Sequence, residues 1–265
     1  MNRQFQSYYL DKPLVIGRVF DIFEPEKITK DTAVFFVHGG GWHAGSRTGS
    51  HKLMEAFNER GWLCASTDYR LSGVTAFEQI ADIRESYDRF VTWLKEKGRP
   101  LKIAVYGGSA GAHLGSMVAY ADPGECGEKC TLQNEWVKPC KVILHATPYS
   151  FLHWEGMMPQ FWAQMQGIAG KPYDQDPERF ERLSLKNYVR KDNPQTFFIE
   201  AELEHLFPSE DTLKIAKAQR EMGIGSQWKV YHRVEHGFLY ELKRKMQIEA
   251  FEDFCKFLDD ELETF

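Results

Sequence analysis

No stretch of the 265-residue chain approaches the roughly 18 consecutive apolar residues that a membrane-spanning helix needs. Residues 1–7 also lack the apolar centre of a secretory signal peptide, so the expectation is a protein made and kept in the cytoplasm. Blocks of like charge are missing too. The 33 Lys and Arg are interspersed with 38 Asp and Glu, the net charge is −5 and the isoelectric point lies near 6.0, which argues against a nucleic-acid partner. Cysteine is scarce and odd in number, with Cys64, Cys126, Cys130, Cys140 and Cys255 only, which excludes a disulfide scaffold. Cys126, Cys130 and Cys140 lie close enough for a local disulfide or a metal clip. A fourth ligand is absent and the spacing fits no zinc pattern, so structural or incidental thiols are preferred and no metal is expected.

What is present is an ordinary globular balance, 43% hydrophobic and 27% charged residues, in a length that one α/β domain spanning 1–265 accommodates. Strand-like and helix-like runs alternate, the pattern of a mostly parallel sheet with helices on both faces. Residues 14–23 read as an early antiparallel edge strand. Further strands are expected at 33–37, 62–66, 102–106, 142–144, 196–200 and 228–231. Helices are expected near 50–60, 77–97, 112–120, 209–222 and 240–261; in the second, Ile80, Ile83, Tyr87, Phe90, Val91 and Leu94 recur at helical spacing. Between 122 and 193 the alternation breaks down and aromatic and Met residues crowd together. This segment reads either as a cap inserted over the ligand edge of the sheet or, at 159–168, as an amphipathic core helix.

Gly107-Gly108-Ser109-Ala110-Gly111 fits the G-x-S-x-G nucleophile elbow and lies between an apolar strand and a small-residue helix, where that motif must lie. Its sharp turn strains the serine and demands small neighbours on both sides. His38-Gly39-Gly40-Gly41-Trp42 follows strand 33–37 and matches the glycine motif that supplies oxyanion-hole amides. Gly40 and Gly41 are assigned as donors, with Ala110 as the third. No Lys-Ser/Thr follows the glycines, which disfavours a phosphate cradle.

A serine hydroxyl needs a base to take its proton. His236, after the last strand and before the last helix, stands where the chain returns over the elbow, in the order serine, acid, histidine. His38 and His113 are expected to make structural hydrogen bonds, whereas His145, at a strand end, is placed to line the pocket. The acid is sought after strand 196–200, where Glu202 and Glu204 are the carboxylates; Asp211 suits the first turn of the next helix instead. Asp68 precedes the serine, the wrong order, and Arg70 with Asp82 is expected to form a structural ion pair. Trp42 and Trp162 join His145 as candidate substrate contacts.

With His38–Trp42, Asp68-Tyr69-Arg70-Leu71, Gly107–His113 and Glu235-His236-Gly237-Phe238 in register, nearly the whole chain resembles the α/β-hydrolase esterases. These include the hormone-sensitive-lipase-like group, acetylxylan and feruloyl esterase relatives, and kynurenine formamidase. The resemblance implies an α/β-hydrolase fold and hydrolysis without metal or organic cofactor. Its Gly-x-x-Asp-x-x-Val-Pro pattern overlays residues 201–208 with Glu204 at the acid, leaving Glu202 as the rival. It implies a serine carboxylic-ester hydrolase for a small-molecule ester, such as an acetylated or feruloylated carbohydrate. An arylformamidase is the alternative, and a non-catalytic binding protein on the same fold a third reading. The sequence carries no signature of oligomeric state.

Overall fold

A computed structural model describes residues 5–11 and 17–264. The strands are β1 (Gln6–Tyr9), β2 (Val19–Phe23), β3 (Thr32–Val37), β4 (Cys64–Thr67), β5 (Lys102–Gly108), β6 (Lys141–His145), β7 (Gln195–Leu203) and β8 (Gln227–Glu235). They form one sheet in the order β1-β2-β4-β3-β5-β6-β7-β8. β1 and β2 pair antiparallel at one end, and β4 onward run parallel. The early edge strand is β2, running antiparallel against β4 as expected. The earlier part of that expected strand, 14–16, lies outside the described residues, and β1 is an additional strand at the sheet edge.

The helices are α1 (His51–Glu59), α2 (Ala76–Glu96), α3 (Ala110–Tyr120), α4 (Pro159–Ala169), α5 (Pro177–Arg182), α6 (Ser209–Glu221) and α7 (Lys245–Leu258). None is long and apolar enough to cross a membrane, among the described residues. α2 begins at a capping box in which Glu78 accepts from the Thr75 backbone N–H at 2.7 Å.

Alternation along the strands divides the core in two. Phe35, Val37, Ile103, Val105, Val142 and Leu144 point to the face covered by α2 and α3, which also buries Phe161 and Met165 of α4. Val34, Phe36, Ala104, Tyr106, Ile143 and Phe197 point to the face covered by α1 and α7, against Phe57 and Phe254. Strands buried on both faces explain the unbroken apolar runs in the sequence.

Within 122–193, residues 141–145 belong to the sheet as β6, so the whole segment is not one insertion. The stretch that follows β6 carries α4, which packs against α2 and borders the site, and α5, whose Arg179 and Arg182 lie over the Phe77 ring. α4 is partly a core helix, burying Phe161, Met165, Ile168 and Ala169, and partly a wall of the site below. All five cysteines are free thiols.

Candidate active site

The carboxyl ends of β3, β5, β7 and β8 deliver four loops to one place. β5 turns sharply into α3 at Ser109, which has φ 53° and ψ −123°, a left-handed conformation that non-glycine residues avoid. The turn holds because the Ser109 N–H donates to the His145 carbonyl at 2.8 Å and the Ser109 carbonyl accepts from the His113 N–H at 3.1 Å. It also needs bare backbone nearby. A β-carbon on Gly107 would stand 2.3 Å from the Gly111 carbonyl oxygen, and one on Gly111 would stand 2.2 Å from that of Val37.

The oxyanion loop follows β3. Gly40 has φ 122°, and a β-carbon there would fall 2.2 Å from the Ala44 carbonyl oxygen. Its own carbonyl accepts from the N–H groups of His43 and Ala44, at 3.1 and 3.0 Å, closing the loop beside Ser109. Ala110 opens α3, so its N–H belongs to the first turn, where amides have no intrahelical acceptor.

His236 immediately follows β8. Its Nε2 lies 3.0 Å from the Ser109 Oγ, and its Nδ1 lies 2.7 Å from Glu204 Oε2. A carboxylate only accepts, so Nδ1 carries the proton and donates to Glu204, which leaves Nε2 to accept the Ser109 hydroxyl. Glu204 Oε1 accepts from the backbone N–H groups of His205 and Leu206, at 3.0 and 2.8 Å. Burial pushes the Glu204 carboxyl up, but its bond to His236, that residue's charge and the Leu206 N–H together hold it below the usual range. Glu202 does not enter the site: its side chain is turned to solvent, accepting from the Arg233 N–H at 2.7 Å and pairing with His232 at 3.2 Å. β7 runs to Leu203, longer than expected from sequence, which puts Glu202 on the strand and Glu204 just beyond it.

Two compartments meet at Ser109. The first, about 180 Å³, lies on the α1 side and is lined by Leu53, Tyr106, Gly108, His145 and Leu239. The second, about 400 Å³, lies under α4 and is lined by Gly41, Phe161, Gln164, Phe207 and His236. Gly40 and Tyr240 border both.

One candidate substrate contact, Trp162, is corrected. Trp42 borders the second compartment, though it is only 1% exposed. It packs against Phe151 and Phe161 and donates from Nε1 to His113 Nδ1 at 3.2 Å. Trp162 lies outside both compartments, against His153, Tyr173 and Phe180. Successive residues of a helix point about 100° apart, and on α4 it is Phe161 that faces the site. His145 does line a compartment. His38 and His113 take structural bonds, His38 with the Gly39 carbonyl at 2.8 Å and His113 with that of Leu183 at 2.8 Å. Asp68 accepts from Arg47, and Arg70 grips Asp82 through two bonds of 2.8 Å.

Two polar residues of this region carry no sequence motif. Gln164 of α4 donates to the Gly41 carbonyl at 2.6 Å, tying that helix to the glycine loop after β3. Glu200, on β7, is 1% exposed and accepts from Thr212 at 2.7 Å. Burial pushes its carboxyl up to about 8, against the Thr212 bond and with help from the nearby Glu204 and Glu210 carboxylates. Its folded pKa is thus above the ordinary value near 4.5, so the folded state holds a proton that the unfolded chain releases. Stability from this group is complete below about pH 4.5 and is lost as the pH rises towards 8, by at most about 1.4 kcal/mol per pH unit. Urea unfolding between pH 5 and 8 should show this fall, and Glu200→Gln should flatten it.

A family model described as BD-FAE matches residues 20–218. The chain belongs to the BD-FAE family. Esterase LipQ of Mycobacterium tuberculosis is 26% identical over 235 residues, covering 82% of this chain and 53% of that protein, so the chain spans about half of its length. Among solved structures, esterase B from Lactobacillus rhamnosis superposes with a TM-score of 0.77 at 19% identity, covering 97% of this BD-FAE chain and 85% of that one. A thermophilic esterase of Thermogutta terrifontis with propionate bound gives 0.72 at 21% identity, covering 96% and 93%. Another structure of that esterase is phosphonylated by sarin. The sheet order and the similarity to these structures make the fold that of the α/β hydrolases.

Proposed function

We propose that this chain is a serine carboxylic-ester hydrolase acting on short acyl esters through an acyl-enzyme. The hydrogen-bonded relay Glu204–His236–Ser109, where the two compartments meet, carries the reading. His236 Nε2 takes the Ser109 proton as Oγ bonds to the ester carbonyl carbon, and the carbonyl electron pair moves onto its oxygen. The backbone N–H groups of Gly40, Gly41 and Ala110 hold that oxyanion. The pair then returns, the carbon–oxygen bond to the alcohol breaks, and His236 gives its proton to the departing oxygen. Water attacks the acyl carbon with His236 again as base, and Ser109 leaves with its proton restored.

The propionate in the Thermogutta terrifontis esterase supports a short acyl group here. A carbohydrate is the alcohol we favour, because the second compartment sets the rings of Phe161 and Phe207 beside the amides of Gln160 and Gln164, a mixture that suits a polyhydroxylated ring. The test is a panel of p-nitrophenyl acetate to octanoate, acetylated and feruloylated xylo-oligosaccharides, and N-formylkynurenine. Turnover of the short esters and the acylated sugars is expected; turnover of N-formylkynurenine alone would replace this reading by the formamidase one.

Gln164 should matter to the rate without being a reacting group. Gln164→Leu removes the donor that fixes the Gly41 carbonyl, and kcat is expected to fall about tenfold with KM little changed, less than the loss of a whole oxyanion donor. Steady-state kinetics with p-nitrophenyl acetate measures both parameters.

A further inference from the structure

We propose that the first compartment selects a short acyl chain bearing a hydroxyl group, recognised by the imidazole of His145. This rests on the esterase reading above and names the acyl class it prefers.

The two compartments have different chemical duties. The departing alcohol must take its proton from His236, so it lies on the His236 side of the tetrahedral carbon. His236 lines the second compartment and not the first. The acyl chain therefore enters the first, between the oxyanion loop and Leu239.

That compartment is mostly apolar, yet a histidine forms part of its wall. β6 alternation turns His145 to the same face as Ile143 and Tyr106, and Phe238 packs edge-on against its ring. It is 3% exposed. Nδ1 stands 3.7 Å from where a β-carbon on Gly108 would sit, next to Ser109, and the Tyr106 hydroxyl stands 4.0 Å from the same point. Nε2 is closed off inside the wall without a hydrogen-bond partner among the described residues, and Nδ1, the nitrogen beside Gly108, is the one a ligand in the compartment meets. Buried polar groups are nearly always partnered, and Nδ1, set in a mostly apolar wall, gains its partner when a ligand supplies one.

The ligand's chemistry follows from the surroundings. Among the described residues no Lys, Arg, Asp or Glu lines the compartment, so neither a carboxylate nor an ammonium group on the acyl chain would find a counter-charge. Burial first, and then the charge of His236, push the His145 imidazole down to about 3, so it is neutral at working pH with one donor and one acceptor nitrogen. A hydroxyl accepts from Nδ1 when that nitrogen carries the proton and donates to it when it does not, and so suits either tautomer. A plain alkyl chain satisfies neither, and sites built for a hydrogen bond discriminate strongly against substrates that lack it.

The experiment compares kcat/KM for the p-nitrophenyl esters of butyrate, 2-hydroxybutyrate and 3-hydroxybutyrate, each divided by its hydroxide-catalysed rate. One hydroxy ester is expected to exceed butyrate by about tenfold or more, and His145→Phe should bring that ratio close to one. Because the ratio is taken on one preparation, a partly folded variant reads it correctly. If His145→Phe does not fold, product inhibition of the wild type gives the same answer: the hydroxy acid should inhibit more tightly than butyrate, by a similar factor. Butyrate turned over as well as both hydroxy esters, a ratio unchanged in His145→Phe, or equal inhibition by the two acids overturns the proposal while leaving the esterase reading intact. No turnover of any of the three esters, with no covalent labelling of Ser109, would instead remove both.

Discussion

Replacing Ser109 by alanine is expected to lower kcat for ester hydrolysis by about a millionfold while leaving thermal stability nearly unchanged. The rate loss follows from the chemistry, since without the hydroxyl no acyl-enzyme forms and only the oxyanion amides and binding remain to assist water. The stability argument rests on two observations. Among the described residues the Ser109 side chain makes its hydrogen bond to His236 alone, and its backbone strain at φ 53° is the same for alanine as for serine. The elbow itself is held by the backbone bonds to His145 and His113, which the substitution keeps. Stopped assays with p-nitrophenyl acetate, beside a melting curve, separate the two effects.

Glu204→Gln is expected to lower kcat by about ten-thousandfold. The reason is the way Glu204 is held. Oε1 receives the backbone N–H groups of His205 and Leu206, so a glutamine keeps its oxygen there and presents its NH₂ group to His236 Nδ1. An imidazole facing that donor must leave Nδ1 bare and carry its proton on Nε2, where it points at Ser109 and cannot accept the hydroxyl proton. Glu202→Gln is the control. Its side chain is outside the site, on the β8 backbone, and near-wild-type activity is expected. A large loss in Glu202→Gln with none in Glu204→Gln would reverse the assignment.

Much of this arrangement is legible in the sequence because it is local or periodic. Each wholly apolar run, such as 33–37, becomes a strand buried on both faces, and the glycines around Ser109 and at Gly40 stand where a β-carbon would strike backbone. The order serine, acid, histidine also places Ser109, Glu204 and His236 just past the carboxyl ends of β5, β7 and β8 of one sheet, where the structure brings them together. What is not legible depends on contacts between distant segments. Trp162 is the aromatic candidate of this stretch, and only the packing of α4 against Phe207 on one side and Phe180 on the other shows that its neighbour Phe161 faces the site instead. Trp42 follows the oxyanion glycines and so invites a role in binding; it does border the second compartment, but its partners Phe151 and Phe161, from the segment after β6, hold most of it in the core. No motif marks Gln164, since its acceptor on Gly41 lies 123 positions away. The same holds for Glu200, whose burial depends on α6 closing over β7 through Thr212.

The most direct test of the account is covalent trapping. The folded protein is treated with a small p-nitrophenyl alkylphosphonate, its intact mass is measured, and the adduct is mapped by peptide mass spectrometry. One phosphonyl group per chain on Ser109, released p-nitrophenol in equal amount, and no adduct in Ser109→Ala are predicted. An adduct on another residue, or an unlabelled protein that still hydrolyses p-nitrophenyl esters, would contradict Ser109 as the nucleophile.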